Sequence, residues 1–595
     1  MRITRRQLLQ AGAVAGAGVL TQAYGSGASP GLAAPVPPPG IFTEQLPTLA
    51  DLGVIDMRSG GNLELWARNS RHRFQARMGL TDTLTYQDAG SSRTYLGPVI
   101  IAQKGTPLSL TVHNDMGRHP LAFAIDPELV PQGGNDARFP RTAVHLHGGN
   151  TAPTSDGGPG QTFRPGASYT YHYGNNQDAA GLWYHDHALG ITRLNVYAGL
   201  AGSYLLRDTP GPGGTGIDTG DGTHLPPPPY ELPLVFQDRM FNPDGSFAYP
   251  PNPELVGADG TARPWAPEFF GDVATVNGKC WPNLDVARGK YRFRMFNGSN
   301  ARFYDFKFLA DGMAVTFHQI GSDGGLLDAP VRLNRLVMGP GERADIVVDF
   351  AGLKAGSKVV LANSARVPFP NGPESVQRGA IPLPQIMQFT VLSEPGYTVP
   401  LPAQLRSRPL TRLVDRPTVA TRSMALVEVA NADDVPTMAL LNNRMFDSPD
   451  ITVVQRDTLE QWELINTTED AHPIHLHFTQ FQVLDRQRFD AADYLEATDF
   501  VDPKTGLVTP GRGCAVPVKP FLIGRPKAAP ANEQGWKDTV VAMPGEVTRI
   551  RVPFGAAAAG GDPLAIGSSF TGEYVWHCHI LEHEDNDMMQ RYVIE

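Results

Sequence analysis

One pattern recurs three times in this chain and constrains its fold more than any other. Leu108-Ser109-Leu110-Thr111-Val112-His113-Asn114 alternates its side chains and ends on asparagine. Tyr291-Arg292-Phe293-Arg294-Met295-Phe296-Asn297 and Glu460-Gln461-Trp462-Glu463-Leu464-Ile465-Asn466 repeat it. Alternate residues of a strand face opposite sides, so each copy reads as a half-buried strand entering a turn. A second theme is Pro340-Gly341-Glu342-Arg343-Ala344-Asp345-Ile346-Val347-Val348. It recurs as Pro544-Gly545-Glu546-Val547-Thr548-Arg549-Ile550-Arg551-Val552, with Arg164-Pro165-Gly166-Ala167-Ser168-Tyr169-Thr170-Tyr171 as a weaker version. A third theme links Val276-Asn277-Gly278-Lys279 to Leu441-Asn442-Asn443-Arg444. Three copies of a β unit, each well over a hundred residues long, specify three related sandwiches.

Composition agrees. With 63 Gly, 53 Pro and only 18% charged residues, the chain reads as turn-rich β, not as a helical bundle. A net charge of −10 argues against nucleic acid or an anionic membrane as partner. The Gly/Pro/Thr-rich stretch 210–229 reads as one linker, and the Pro-rich stretch near 395–409 as another. Residues 35–209, 230–400 and 401–595 then form the first, middle and last sandwich. At the N-terminus, Thr4-Arg5-Arg6-Gln7-Leu8-Leu9 precedes the small apolar run from Ala11 to Leu20. Residues 1–34 resemble a twin-arginine export signal, cleaved near Ala33 or Ala34, which places the mature protein in the periplasm or outside the cell. Beyond it, no apolar run is long enough to span a bilayer. Of three cysteines, Cys280 and Cys514 are open to either reading, paired or free.

The chemistry concentrates in four histidine clusters: His145/His147, His185/His187, His472/His475/His477 and His577/His579, the last flanking Cys578. They and His583 hold ten of the sixteen histidines. Each cluster contains a His-x-His pair at strand spacing, which sets two imidazoles on one face. Burying that many imidazoles without a metal would cost desolvation and offer few partners. Cys578, within a strand-like run, faces away from His577 and His579. Two histidines, a cysteine and a weak axial methionine make a blue-copper ligand set. His472, Cys578, His583 and Met588 supply it. The other eight histidines suit a cluster of several coppers. Since two pairs lie early and two late, that cluster is expected between the first and last sandwiches, with the middle one a metal-free spacer.

The order and spacing of these motifs resemble the multicopper oxidases, and within them the three-domain bacterial laccases of the spore-coat type, with bilirubin oxidases and phenoxazinone synthases as relatives. Segments His145–Gly148, Trp183–Gly202, His472–Phe481 and Trp576–Met589 carry the match. The resemblance implies an all-β fold of three consecutive cupredoxin-like Greek-key sandwiches. It implies four coppers per chain: type 1 at His472, Cys578, His583 and Met588, type 2 at His145 and His475, and two type 3 ions among His147, His185, His187, His477, His577 and His579. The partners it implies are a small aromatic reductant, oxidised at the type 1 copper by way of His472, and O2, reduced to water. Asp156 and Glu584 match positions associated with proton delivery. Two departures stand out. Leu146 replaces a common tryptophan, and Asp470-Ala471 precede His472 where bilirubin oxidases often have tryptophan. The alternative activities are those of a bilirubin oxidase or phenoxazinone synthase, or oxidation of a cuprous or manganous ion; no methionine-rich insertion accompanies the cuprous one.

Overall fold

The computed structural model describes residues 40–595 except 132–133, 210–215, 258–259, 377–378 and 556–569. Residues 1–34, which resemble an export signal, lie outside them.

The repeated strands occupy equivalent places. Leu108–Asp115, Lys290–Asn297 and Thr458–Asn466 each pair antiparallel with the strand of the second theme: Ser168–Tyr173, Arg343–Asp349 and Glu546–Phe554. Each also pairs parallel with an earlier strand: Gly61–His72, Glu231–Arg239 and Ala420–Ala430. The terminal asparagine does the same work three times. Asn114, Asn297 and Asn466 accept through Oδ1 from the amide two residues on. Their Nδ2 groups donate to two backbone carbonyls across the turn. An asparagine side chain here stands in for backbone at the turn, which is why it recurs. In the third theme, Asn277-Gly278 and Asn442-Asn443 are consecutive left-handed residues, as a tight reversal requires.

The result is three β-sandwiches, of cupredoxin type. In the first, a four-stranded sheet faces a five-stranded one whose order is Val54–Met57, Val99–Gln103, Ala201–Arg207, Gly181–Asp186, Val144–His147. In the last, a six-stranded sheet faces one ordered Thr452–Val454, Met589–Ile594, Gly572–Cys578, His472–Leu476, Thr539–Ala542. The histidine pairs therefore sit on neighbouring strands of one sheet in each of these two sandwiches. One apolar core runs through the first and middle sandwiches. A second fills the last and includes Cys578 and Met588. The stretch from Arg486 to Trp536 is no open loop; Phe489, Tyr494, Phe500 and Val518 pack a small core of their own against that sandwich.

The segment after the first sandwich is pinned where its composition suggests slack. Asp218 lies buried among Arg207, Arg292 and Arg294, with Glu231 and Asp345 completing the network. Three guanidinium and three carboxylate groups balance, which makes their common burial tolerable. Cys280 is buried, Cys514 is exposed, and both are free thiols.

Candidate metal centres

Strand register brings the histidines together. His145 stands opposite His185 in the first sandwich, and His475 opposite His577 in the last. Because Ile474 pairs with Cys578, the sulfur faces the side away from His577. His472, two residues before Ile474, shares that side.

Eight imidazoles converge between the two sandwiches. His145 Nε2 lies 3.4 Å from His475 Nε2. His147 Nδ1 is 3.4 Å from His185 Nε2. His577 Nε2 is 3.3 Å from His187 Nε2 and 3.2 Å from His477 Nε2. Two imidazole nitrogens about 2.0 Å from one ion, at tetrahedral to trigonal angles, stand about 3.3–3.5 Å apart, so these gaps have the size of a shared metal. The donors sort into His147/His185/His579, His187/His477/His577 and a set joining His145 and His475 with His147. His472, Cys578 and His583 form a separate group.

Apart from those of His187 and His579, which have no hydrogen-bond partner among the described residues, the outer ring nitrogens are tied down. His145 Nδ1 donates to the Asp156 carbonyl at 2.6 Å, His185 Nδ1 to the Asp186 carbonyl at 2.8 Å, and His577 Nδ1 to the Cys578 carbonyl at 3.0 Å. His475 Nδ1 donates to the Asp538 carbonyl at 2.9 Å. His477 Nδ1 donates to the Asp156 carboxylate at 2.7 Å. Each bond fixes the tautomer and turns a bare lone pair inward, as metal-binding histidines require. Burial, reinforced by neighbouring imidazoles, pushes His145, His147, His187, His477, His577 and His579 well below the ordinary histidine range. Burial pushes His185 to about 3. These rings are neutral, which is the ligating form.

At the sulfur site, Cys578 Sγ is 3.5 Å from His472 Nδ1 and 3.7 Å from His583 Nδ1. The Ile580 amide points at the sulfur from 3.5 Å. Met588 is buried in the same core, and its carbonyl accepts from the Cys578 amide at 3.0 Å. Burial raises the Cys578 thiol well above its ordinary range, so a bound cation is what would make a thiolate there. The Nε2 edge of His472 is closed by Thr468 Oγ1 at 2.7 Å. Of the two imidazoles, His583 is slightly the more exposed, 4% against 2%.

Both candidate proton carriers border the cluster. Glu584 is buried, 3.5 Å from His187 Nδ1 and 3.3 Å from His577 Nδ1, and burial raises its carboxyl well above the carboxylate range. Asp156 is held at about 6 by burial, opposed by His145. Asp186 is no surface residue: it accepts from Thr142, Asn195 and the Ala188 amide behind the ligand strand. Leu146 points into the core, away from the ligand face.

Three neighbours carry no sequence signal. Asp538, between Lys537 and Thr539, accepts from His147 Nε2 at 3.1 Å. Thr468 caps His472. Arg343, from the middle sandwich, pairs with Asp538 through both guanidinium nitrogens. The middle sandwich is therefore not a passive spacer. It also grips the short helix Leu581–Asp585 that carries His583. Tyr249 Oη and Asn300 Nδ2 each donate to Glu582 Oε1 at 2.7 Å, and Trp265 Nε1 donates to the Glu582 carbonyl at 2.9 Å.

Profiles described as multicopper oxidase match residues 134–211 and 417–595. "Multicopper oxidase LPR1" of Arabidopsis thaliana is 35% identical over 567 residues, covering 92% of each chain. A "Laccase" of Bacillus subtilis is 38% identical over 497 residues, covering 81% of this chain and 82% of its own. The chain belongs to the multicopper oxidases. This oxidase also shares its fold with the McoA multicopper oxidase of Aquifex aeolicus, at 24% identity and a TM-score of 0.68 over 93% of this chain and 99% of that one. It is a copper-dependent oxidoreductase of laccase type with O2 as acceptor, and its imidazole clusters suit copper.

Proposed function

We propose that the chain holds four coppers and couples one-electron oxidation of phenols or aromatic amines to reduction of O2 to water. One observation carries this reading. Cys578 belongs to the sulfur site, while its neighbours His577 and His579 belong to two different imidazole triads. One residue's backbone thus joins the place where electrons arrive to the place where they are used. Copper, when bound, supplies the redox chemistry: one electron accepted at the thiolate site, and dioxygen reduced at the imidazole site.

The chain's own residues do the rest. We assign type 1 ligation to His472, Cys578, His583 and Met588, type 2 to His145 and His475, and type 3 to the two triads. Thr468 shields the far edge of His472, which supports His583 as the ring that faces the reductant. Electrons then cross the Cys578 backbone to His577 and His579. Glu584 holds a proton beside His187 and His577, and Asp156, held at about 6, takes one up and releases it beside His477. Export by the twin-arginine route, to the periplasm or beyond, belongs to the same proposal and rests on residues 1–34 alone. A second reading, oxidation of a metal ion, is supported by carboxylates near the sulfur site. Asp470, two residues before His472, is raised to about 7 by burial and Glu469; Glu268 and Glu428 are raised by burial and by Asp470.

Oxygen uptake by the copper-loaded protein separates the readings. Uptake with phenols and aromatic amines, and none with Cu(I) or Mn(II), supports the laccase assignment; the reverse replaces it. Cys578→Ser is expected to abolish the blue absorption and nearly all oxidase activity. Unchanged colour would refute the ligand set.

A further inference from the structure

The second repeated theme does different work in the middle sandwich. There the turn Gly339–Glu342 and the strand start at Arg343 lie against the imidazole cluster, not at a remote edge. Gly341 adopts φ +81°, and a Cβ there would stand 2.6 Å from His579 Cδ2 and 3.1 Å from His147 Cε1. Only glycine lets this backbone approach so closely. Arg343 follows two residues later and is buried. Its Nη1 donates to Asp538 Oδ1 at 2.6 Å, and its Nη2 donates to Oδ2. The fork is aimed by the middle and first sandwiches. Nη1 also donates to the Gly341 carbonyl, Nη2 to the Asp323 carbonyl, and Nε to the Gly181 carbonyl of a ligand-bearing strand. Asp323 in turn accepts from the Arg343 amide at 2.8 Å.

Asp538 reaches two ligands. Its carboxylate accepts from His147 Nε2 at 3.1 Å and from Thr539 Oγ1 at 2.9 Å. Its carbonyl accepts from His475 Nδ1 at 2.9 Å. His147 belongs to the first sandwich, His475 and Asp538 to the last, and Arg343 to the middle one. We propose that Arg343 is a positioning residue of the oxygen-reducing site: by clamping Asp538 from both carboxylate oxygens, it fixes the tautomer and aim of His147 through the carboxylate, holds residue 538 where its carbonyl meets His475 Nδ1 and its carboxylate lies 3.4 Å from that nitrogen, and so sets the geometry of the type 2 copper and of the type 3 ion beside it. All three sandwiches must dock before these rings are aimed.

The inference rests on the assignment of His145 and His475 to type 2 copper. The test is electron paramagnetic resonance and copper content of the loaded full chain, with single-turnover kinetics. Arg343→Lys keeps charge and reach but loses the planar fork. The expected result is an intact type 1 absorption and an unchanged rate of reduction by substrate. The type 2 hyperfine signal should shift or lose occupancy, and reoxidation by O2 should slow about 10- to 100-fold, the usual cost of losing a residue that orients a metal ligand. Asp538→Asn should reproduce this signature, and carries the test alone if Arg343→Lys does not fold. A parent-like type 2 signal with parent-like reoxidation overturns the inference. A parent protein with no type 2 signal overturns the underlying assignment instead.

Discussion

Asp585 ties the last sandwich to the first at the helix that carries His583. Its carboxylate accepts from the Thr192 and Arg193 amides at 3.0 Å each and from Arg193 Nη1 at 3.1 Å. Both side chains are fully buried. Burial, partly offset by Arg193, raises the Asp585 carboxyl above its ordinary range, so the intact pair adds little net stability. Removing one partner is another matter. Asp585→Ala strands a buried guanidinium whose other hydrogen bonds among the described residues go to the Gly190 and Ala124 carbonyls, with the Tyr249 ring beside it. It also orphans two helix-start amides. A broken buried pair costs about 3–5 kcal/mol. If that contact is lost before the unfolding transition state, inactivation speeds up by two to almost four decades, at about 1.4 kcal/mol per decade. A chain this large is best followed by its half-life of thermal inactivation, since unfolding of such proteins is usually irreversible. Asp585→Asn, which keeps one acceptor, should fall between. A parent-like half-life for Asp585→Ala would refute the reasoning that the docking contact limits stability.

Three further outcomes follow from the geometry. Glu584→Gln should leave reduction of the blue centre intact and slow reoxidation by O2 about 10²- to 10³-fold, read by stopped flow, because general acid–base groups contribute on that scale. Burial lowers His119 to about 4. Between pH 6.5 and 4 the unfolded chain therefore takes up a proton that the folded chain refuses, and stability falls as pH falls, by about 3 kcal/mol in full. Half-lives of thermal inactivation at pH 7 and 4.5 should show His119→Gln losing less than the parent; an equal loss would exclude His119 as the cause. Gly341→Ala forces a methyl group against His579 and His147, and should lower copper content at the imidazole cluster while the blue absorption remains, checked by metal analysis beside the visible spectrum.

What is legible in the chain alone follows from its periodicities. Alternation with period two assigns His577 and His579 to one face and Cys578 to the other, and register then pairs Ile474 with Cys578 as that logic requires. The three terminal asparagines mark equivalent turns because one side-chain amide solves the same local problem each time. Tertiary structure alone decides how the clustered histidines divide into triads. His187 joins His477 and His577 from another sandwich, a grouping with no local period. It also decides that His472 is closed by Thr468, that Asp218 is buried inside an apparent linker, and that Arg343 and Asp538, 195 residues apart, share a carboxylate-guanidinium fork. Strand geometry is a short-range property written into neighbouring residues. Charge pairing across sandwiches exists only once separate β units have docked and water has left the seam.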